Sequence, residues 1–114
     1  MAKTDNKTFK KRLLAMREEV ALDSEMTEAE RKPVTLDQSM VGRLSRMDAL
    51  QNQAMALEAE RRRGVEIQRI DAALQRIDDD EFGYCAVCGE DVEPKRLEHD
   101  PTAPSCIACA RDAG

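Results

Sequence analysis

The stretch FGYCAVCGEDVEPKRLEHDPTAPSCIACA, residues 82–110, decides the fold because it holds all four cysteines of the chain. They form two Cys-x-x-Cys pairs, Cys85 with Cys88 and Cys106 with Cys109, and 17 residues lie between the pairs. That separation is typical of zinc sites built from two such pairs. Two residues between thiols let one tight turn present both sulfurs to the same tetrahedral ion. We therefore predict that these four cysteines bind one Zn²⁺ ion.

The predicted site is structural rather than catalytic. Four thiolate ligands leave no coordination position for water, and zinc supplies folding energy that a module of about 30 residues lacks. Gly89 follows Cys88 and suits a knuckle in which the backbone needs a positive φ. An iron–sulfur cluster and a thioredoxin-like redox pair are the alternatives. The sequence shows no βαβ pattern to support the redox alternative.

Composition points to long helices around this small module. The chain has 114 residues, of which 36% are charged and only 3% are aromatic, and its formal net charge is −5. Such a chain cannot build a thick globular core without help from a metal, a disulfide or a partner. It contains no apolar run near the roughly 20 residues that span a bilayer, and its first residues lack the apolar stretch of a signal peptide. We expect a cytoplasmic protein with reduced thiols, no membrane association and no catalytic residues.

Apolar periodicity predicts two helices that form an antiparallel hairpin. Residues 5–31 read as the first helix, with one stripe made by Phe9, Leu13, Met16 and Val20. Residues 36–80 read as the second helix, and the tip lies at about residues 24–38. The predicted fold is therefore all-α, with a helical hairpin over residues 1–80 followed by a C4 zinc finger over residues 81–114.

The second helix carries two apolar stripes on different faces. The first stripe is expected to pack on the first helix, and it consists of Met40, Leu44, Met47, Leu50, Ala54 and Leu57. The second is expected to pack on the C-terminal module, the N-terminus or another molecule, and it consists of Ile67, Ile70, Leu74 and Ile77. Between them lies the sequence ERRRG, residues 60–64. We expect Arg61, Arg62 and Arg63 to form a solvated or salt-bridged surface, with contact to an acidic partner as the alternative.

Charge argues against DNA binding by the cysteine-rich module. Residues 81–114 contain seven acidic and three basic residues, which gives a formal charge of −4. A zinc ion bound by four thiolates adds roughly two negative charges. A phosphate backbone would be repelled, and no basic tail follows to compensate.

The cysteine-rich stretch resembles the C4-type zinc finger of the DksA/TraR family of bacterial transcription regulators. The resemblance is carried by an acidic run before Phe82-Gly83-Tyr84-Cys85, by Cys88-Gly89, Arg96-Leu97 and Pro101-Thr102-Ala103, and by the pair Cys106 and Cys109. It covers about residues 78–110. Over residues 1–77 the resemblance rests on the architecture of a long helical hairpin that leads directly into the finger.

This resemblance implies a mechanism that does not involve DNA contact. Members of the family bind RNA polymerase and insert the helical hairpin into its secondary channel, often acting together with the alarmone ppGpp. The finger anchors and orients the hairpin, and the tip acts. The alternative is a zinc-stabilised helical adaptor whose partner is not the polymerase.

The tip of the hairpin departs from the family pattern. The best-known members carry an Asp-x-x-Asp-x-Ala motif there, and this sequence does not contain it. Counting back from Cys85 without gaps places GRLSRM, residues 42–47, at the corresponding position. The candidate partner-binding residues at the tip are Asp37, Arg43, Ser45, Arg46 and Asp48.

Overall fold

The computed structural model describes residues 3–32 and 43–113, with side chains described for residues 6–32 and 46–112. These residues form four α-helices: α1 (Lys3–Met26), α2 (Arg43–Asp78), α3 (Pro94–His99) and α4 (Ile107–Ala113). A short 3-10 helix, Glu28–Arg31, follows α1. In these ranges the only β-type pairing is an isolated antiparallel bridge between Tyr84 and Asp91. None of the described helices is both long and apolar enough to cross a bilayer.

The predicted fold class is confirmed, because antiparallel helices are followed by a small cysteine-rich module. The chain divides into two compact units. The first, called here the finger unit, consists of Met1–Glu18 and Ile67–Gly114. The second, called here the hairpin unit, is Glu19–Glu66. The beginning of α1 and the end of α2 therefore belong to the same compact unit as the cysteines.

The finger unit has an apolar core that α1, α2 and the cysteine-rich module share. Leu13 and Ile70 are fully buried, and they cluster with Phe82, Val92 and Leu97 from the module. The rings of Phe9 and Phe82 lie with their centroids 5.2 Å apart. The α1 stripe is thus confirmed as a packing surface for Phe9, Leu13 and Met16, and the second α2 stripe for Ile70, Leu74 and Ile77. The second stripe packs on α1 and on the module at once.

The end of α2 is a Schellman motif formed by unusual residues. The Glu81 N–H donates to Arg76 O at 2.8 Å, and the Asp80 N–H donates to Ile77 O at 3.2 Å. This arrangement requires the left-handed conformation at Asp80, whose φ is 58°. Glycine adopts that conformation without the steric cost that a Cβ brings. The acidic run from Asp78 to Glu81 thus ends α2 at Asp78, two residues before the predicted end.

Replacing Asp80 by glycine should stabilise the protein by about 0.5–1 kcal/mol. Glycine relieves the left-handed strain and also removes an acidic side chain from the negative end of the helix dipole. Urea denaturation with zinc present measures the change. Asp79→Gly is the matched control, since it removes the same charge from the helix end but lies outside the left-handed position and also loses the hydrogen bond from Gln75. Its gain should be smaller than that of Asp80→Gly. If the two substitutions change the free energy of unfolding equally, the left-handed conformation at Asp80 is not a source of strain.

The hairpin unit places small and polar residues between its two antiparallel helices. The Ser24 hydroxyl donates to the Glu60 carboxylate, at 2.6 Å from Oε1 and 2.7 Å from Oε2. Arg31 pairs with the same carboxylate at 3.4 Å, and Arg63 donates to Thr27 Oγ1 at 3.2 Å. These bonds hold the two helices together through polar side chains, which is unlike the apolar core of the finger unit.

The first predicted stripe of α2 does not face α1, so this part of the prediction is wrong. Met47, Leu50 and Leu57 are 58%, 47% and 49% exposed. Met40 lies outside the described residues, as does the side chain of Leu44. The physical reason is that the helices meet through a neighbouring row of α2 residues, offset from the predicted one. The members of this row are part-buried, and they are Gln53, Ala56, Glu60 and Arg63.

The first helix is shorter than predicted. Regular α-helix ends at Met26 rather than at residue 31, and the chain continues as the 3-10 helix. The Thr27 hydroxyl donates to Asp23 O at 2.7 Å, and the Glu30 N–H donates to Thr27 O at 3.0 Å. A β-branched residue whose hydroxyl bonds the preceding turn favours such a change of helix type. The predicted start of the second helix, residues 36–42, lies outside the described residues.

The arginine cluster of α2 is mostly paired within the chain, as expected. Arg61 and Arg62 both contact the Glu58 carboxylate, at 2.8 Å and 3.3 Å. The hydrogen bond from Arg61 lowers the pKa of the Glu58 carboxyl to about 2. Arg63 turns inward to Thr27. These exposed pairs are short helix-surface interactions, so the cluster is not a free basic patch.

Replacing Gly64 by alanine should stabilise the protein by about 1 kcal/mol. Gly64 is exposed in the interior of α2, and a Cβ added there would meet nothing within 4 Å. Alanine therefore gains helix propensity without a clash. The matched control is Gly89→Ala, where space is also free but φ is +78°, so stability should fall. Thermal unfolding of both variants measures the two changes in stability. A loss of stability in Gly64→Ala would contradict the prediction.

Candidate metal centre

The first cysteine pair lies in a tight turn that its backbone stabilises. Cys85 Sγ accepts hydrogen bonds from the N–H groups of Val87 at 3.4 Å and Cys88 at 3.5 Å. The Gly89 N–H donates to Cys85 O at 3.0 Å, and Gly89 has the positive φ expected from the sequence. The turn therefore presents the Cys85 and Cys88 sulfurs to one point.

The second cysteine pair lies at the start of α4. Cys106 immediately precedes the helix and Cys109 lies in its first turn, so both sulfurs can face the same point. The Ile107 N–H donates to the Glu93 carboxylate at 3.2 Å, and the Arg96 guanidinium donates to Ser105 O at 2.9 Å. The Ala86 N–H donates to Pro104 O at 2.8 Å and so ties the two cysteine turns together.

The geometry of the four sulfurs fits a tetrahedral zinc ion. All four Sγ atoms lie within 4.8 Å of one another, and Cys88 Sγ is 3.8 Å from Cys106 Sγ. Four sulfurs at the usual zinc–sulfur distance of about 2.3 Å from one ion would lie about 3.8 Å apart. Cys85 and Cys106 are buried, whereas Cys88 is exposed. The four cysteines form one structural zinc site, and the prediction of a single Zn²⁺ is confirmed.

The acidity of the thiols also fits a bound cation. Backbone N–H groups, that of Cys88 first, lower the pKa of Cys85 to about 6. The Cys106, Cys88 and Cys85 side chains raise the pKa of Cys109 well above its usual value. Four clustered thiols cannot all ionise without a nearby positive charge, and a zinc ion provides it.

Residues that support the site were only partly foreseen. Sequence reasoning did not predict helix α3, although Pro94 occupies a first-turn position where proline is a common start signal. Glu93 precedes α3 and Arg96 lies within it. Both side chains form hydrogen bonds to the backbone around the second cysteine pair, at Ile107 and Ser105. His99 is exposed in the last turn of α3 and is not one of the four clustered ligands.

Among the candidate tip residues, side chains are described only for Arg46 and Asp48. Asp37 lies outside the described residues. Arg43 and Ser45 lie in the first turn of α2, where only the backbone is described. Asp48 is exposed. Arg46 is partly buried, and its Nε atom is buried and has no hydrogen-bond partner among the described residues.

Comparison with known proteins gives consistent results. Residues 80–113 match the family model described as the prokaryotic dksA/traR C4-type zinc finger. The RNA polymerase-binding transcription factor DksA of Haemophilus influenzae is 49% identical over 43 residues, which cover 38% of this chain and 30% of that protein. The match to this relative is thus limited to less than a third of its length.

Longer matches include the helices. The RNA polymerase-binding transcription factor DksA of Caulobacter vibrioides is 34% identical over 99 residues, covering 87% of this chain and 68% of that protein. The solved structure of transcription factor DksA2 from Pseudomonas aeruginosa superposes with a TM-score of 0.78 at 22% identity. It covers 96% of this chain and 83% of that one, which shows a common fold. Taken with the four-cysteine site, these matches show that the chain belongs to the DksA/TraR family of C4-type zinc-finger proteins.

Proposed function

We propose that this protein regulates transcription by binding RNA polymerase, with its helical hairpin in the secondary channel of the enzyme. The observation that carries the proposal is the match to the Caulobacter vibrioides protein. That relative is named as an RNA polymerase-binding transcription factor, and the match spans 87% of this chain. Since it includes both the helices and the finger, it supports a shared mode of action and not only a shared zinc site.

In this proposal the zinc site has a structural role and the protein is not an enzyme. A closed four-thiolate site offers no position for a substrate or a reactive water. The relatives are named as transcription factors. We also propose that the protein works in the cytoplasm, where the polymerase is, and that it can act together with ppGpp as other family members do.

The proposed contact with polymerase lies at the tip residues Asp37, Arg43, Ser45, Arg46 and Asp48. Arg46 is the best supported of them by the described structure. Its Nε atom is buried and has no acceptor in the described part of the chain. The two terminal guanidinium nitrogens of Arg46 carry four further N–H donors for an acceptor on a partner. Asp48 is exposed two residues further along α2 and offers an acceptor to the same partner.

The acidic finger supports polymerase contact over DNA contact. Its seven acidic residues against three basic residues would repel a phosphate backbone. The arginines of α2 that could have formed a basic patch are paired, Arg61 and Arg62 with Glu58. Duplex DNA would therefore find no clustered positive surface on the described residues.

Binding to purified core RNA polymerase tests the proposal. The zinc-loaded protein should carry a label that is not attached to a cysteine, so that the metal site stays intact. It should form a saturable complex with core enzyme at low salt. It should not retard naked promoter DNA in a gel. Arg46→Ala should weaken the complex while zinc content and thermal stability stay unchanged. Absence of any complex, or retention of DNA at moderate salt, would contradict the proposed function.

A further inference from the structure

Arg76 is a half-buried cation with no carboxylate within ion-pair distance among the described residues. Two other arginines of the finger unit contact carboxylates: Arg17 contacts Asp71 at 2.8 Å, and Arg69 contacts Asp100 at 3.2 Å. Arg96, like Arg76, donates to a backbone carbonyl, but at a shorter distance of 2.9 Å. Arg76 has no ion pair among the described residues. Its hydrogen bond to a carbonyl, Thr102 O, is long at 3.5 Å. A guanidinium that is removed from water without a matching acceptor destabilises the fold.

The electrostatic surroundings increase this cost. Burial lowers the pKa of Arg76, and the positive charge of Arg69 lowers it further. Both effects mean that the charged form is poorly compensated in the free protein. A buried polar group that lacks its partners requires an explanation, and a partner supplied on binding is one.

Arg76 faces a cleft that is open to solvent. The cleft has a volume of about 400 Å³ and is lined by Arg76, Glu81, Tyr84, Cys85, Ala86 and Gly89. The Tyr84 side chain is 47% exposed. An incoming side chain would therefore meet one guanidinium and the face or hydroxyl of an aromatic ring. A guanidinium fork is matched by a carboxylate, which can accept two parallel N–H bonds.

The charge around the cleft restricts what can enter it. Glu81 also lines the cleft, and the zinc–thiolate centre adds roughly two negative charges beside it through Cys85. A polyanion such as a nucleic acid backbone would be repelled by these groups. A single carboxylate can approach if the surface that carries it is otherwise basic, because its basic residues then pair with Glu81 and the other acids of the finger.

We propose that the cleft at Arg76 binds one aspartate or glutamate side chain from an otherwise basic surface of RNA polymerase. This inference rests on the proposed function and names a second contact, on the finger unit, in addition to the tip. Because the guanidinium is already partly desolvated, forming the pair requires less loss of water than a pair between two exposed groups. Arg76 would then contribute affinity, while the tip acts on the enzyme.

The test compares Arg76→Gln with wild type in binding to core RNA polymerase at two salt concentrations. The affinity should fall at least about tenfold, because the partner carboxylate is left unpaired. Arg76→Lys should recover part of the loss, since lysine keeps the charge but lacks the fork. Arg111→Gln is the matched control: it removes the same charge from an exposed position on α4, and its affinity should stay within about twofold of wild type. The difference between Arg76→Gln and wild type should shrink as salt rises.

The possible outcomes separate the two proposals. If wild type binds core polymerase and Arg76→Gln binds equally well, the inference about the cleft is wrong and the proposed function stands. If Arg76→Gln loses zinc or thermal stability, Arg76 supports the metal site instead, and the inference is again wrong. If wild type forms no complex, the proposed function and the inference fail together. Zinc content and unfolding temperature, measured on every variant, make these results distinguishable.

Discussion

Replacing Cys85 by serine should abolish stoichiometric zinc binding and unfold the cysteine-rich module. Cys85 is buried, and its sulfur accepts two backbone hydrogen bonds in the knuckle. Binding of structural zinc contributes about 10–16 kcal/mol in isolated fingers, whereas the net stability of a domain is about 5–15 kcal/mol. The loss of one ligand therefore removes more free energy than the module can replace. A strong chelator added to wild type should have the same effect.

The consequences should extend beyond the module. Phe82, Val92 and Leu97 pack on Leu13 and Ile70, so the two helix segments of the finger unit lose part of their core when the module unfolds. Hydrogen exchange should therefore accelerate in residues 81–113 and also in residues 3–18 and 67–78. If exchange accelerates only in residues 81–113, the module is a separate domain, which is the boundary the sequence predicts. Zinc content by elemental analysis is measured on the same samples.

The matched control for this experiment is Ala108→Ser. Ala108 is exposed and lies between the second pair of cysteines, so it tests the effect of a serine near the site without removing a ligand. This variant should bind one zinc ion per chain and exchange like wild type. Full zinc occupancy in Cys85→Ser with unchanged exchange would contradict a four-cysteine site.

Replacing Ile70 by alanine should have the second largest effect, a loss of about 2–5 kcal/mol of stability with zinc still bound. Ile70 is fully buried, and it belongs to the apolar cluster that contains residues of α1, α2 and the cysteine-rich module. Removing its side chain leaves a cavity that rigid helices and a zinc-fixed module cannot easily close. Urea denaturation in excess zinc measures the change in unfolding free energy.

Val65→Ala provides the control for the core substitution. Val65 lies on the same helix and is 44% exposed, so its truncation should change stability by less than about 0.5 kcal/mol. A loss below about 1 kcal/mol in Ile70→Ala would show that the finger unit does not depend on a shared core.

The sequence was sufficient to predict the metal site because its determinants are local. Each pair of ligands lies within four residues, and the turn that presents the first pair is marked by Gly89, whose φ is indeed positive. The α1 stripe was also predictable, because Leu13 and its apolar neighbours repeat at helical spacing and pack on an apolar core. At the cysteine pairs and along the α1 stripe, the local sequence pattern predicts the same contacts that the tertiary structure forms.

The hairpin unit could not be predicted in the same way. An apolar stripe was expected to mark the contact face of α2, but Ser24 and Glu60 meet across the unit instead. These two residues are 36 positions apart, and either could equally have been a solvated surface residue. Periodicity identifies an apolar face, but it does not reveal that a polar face is the one that packs. The consequence is that Met47, Leu50 and Leu57 stay exposed on α2.

Site-directed photo-crosslinking from position 48 tests the proposed polymerase contact most directly. Asp48 is exposed near the start of α2, so a benzoylphenylalanine placed there should not disturb the fold. In cell extract and with purified core enzyme, we predict a crosslink to an RNA polymerase subunit beside the secondary channel. Excess wild-type protein should compete it away, and the same probe at position 111 on α4 should not give that product. A crosslink to other proteins only, with none to polymerase, would contradict the proposed function.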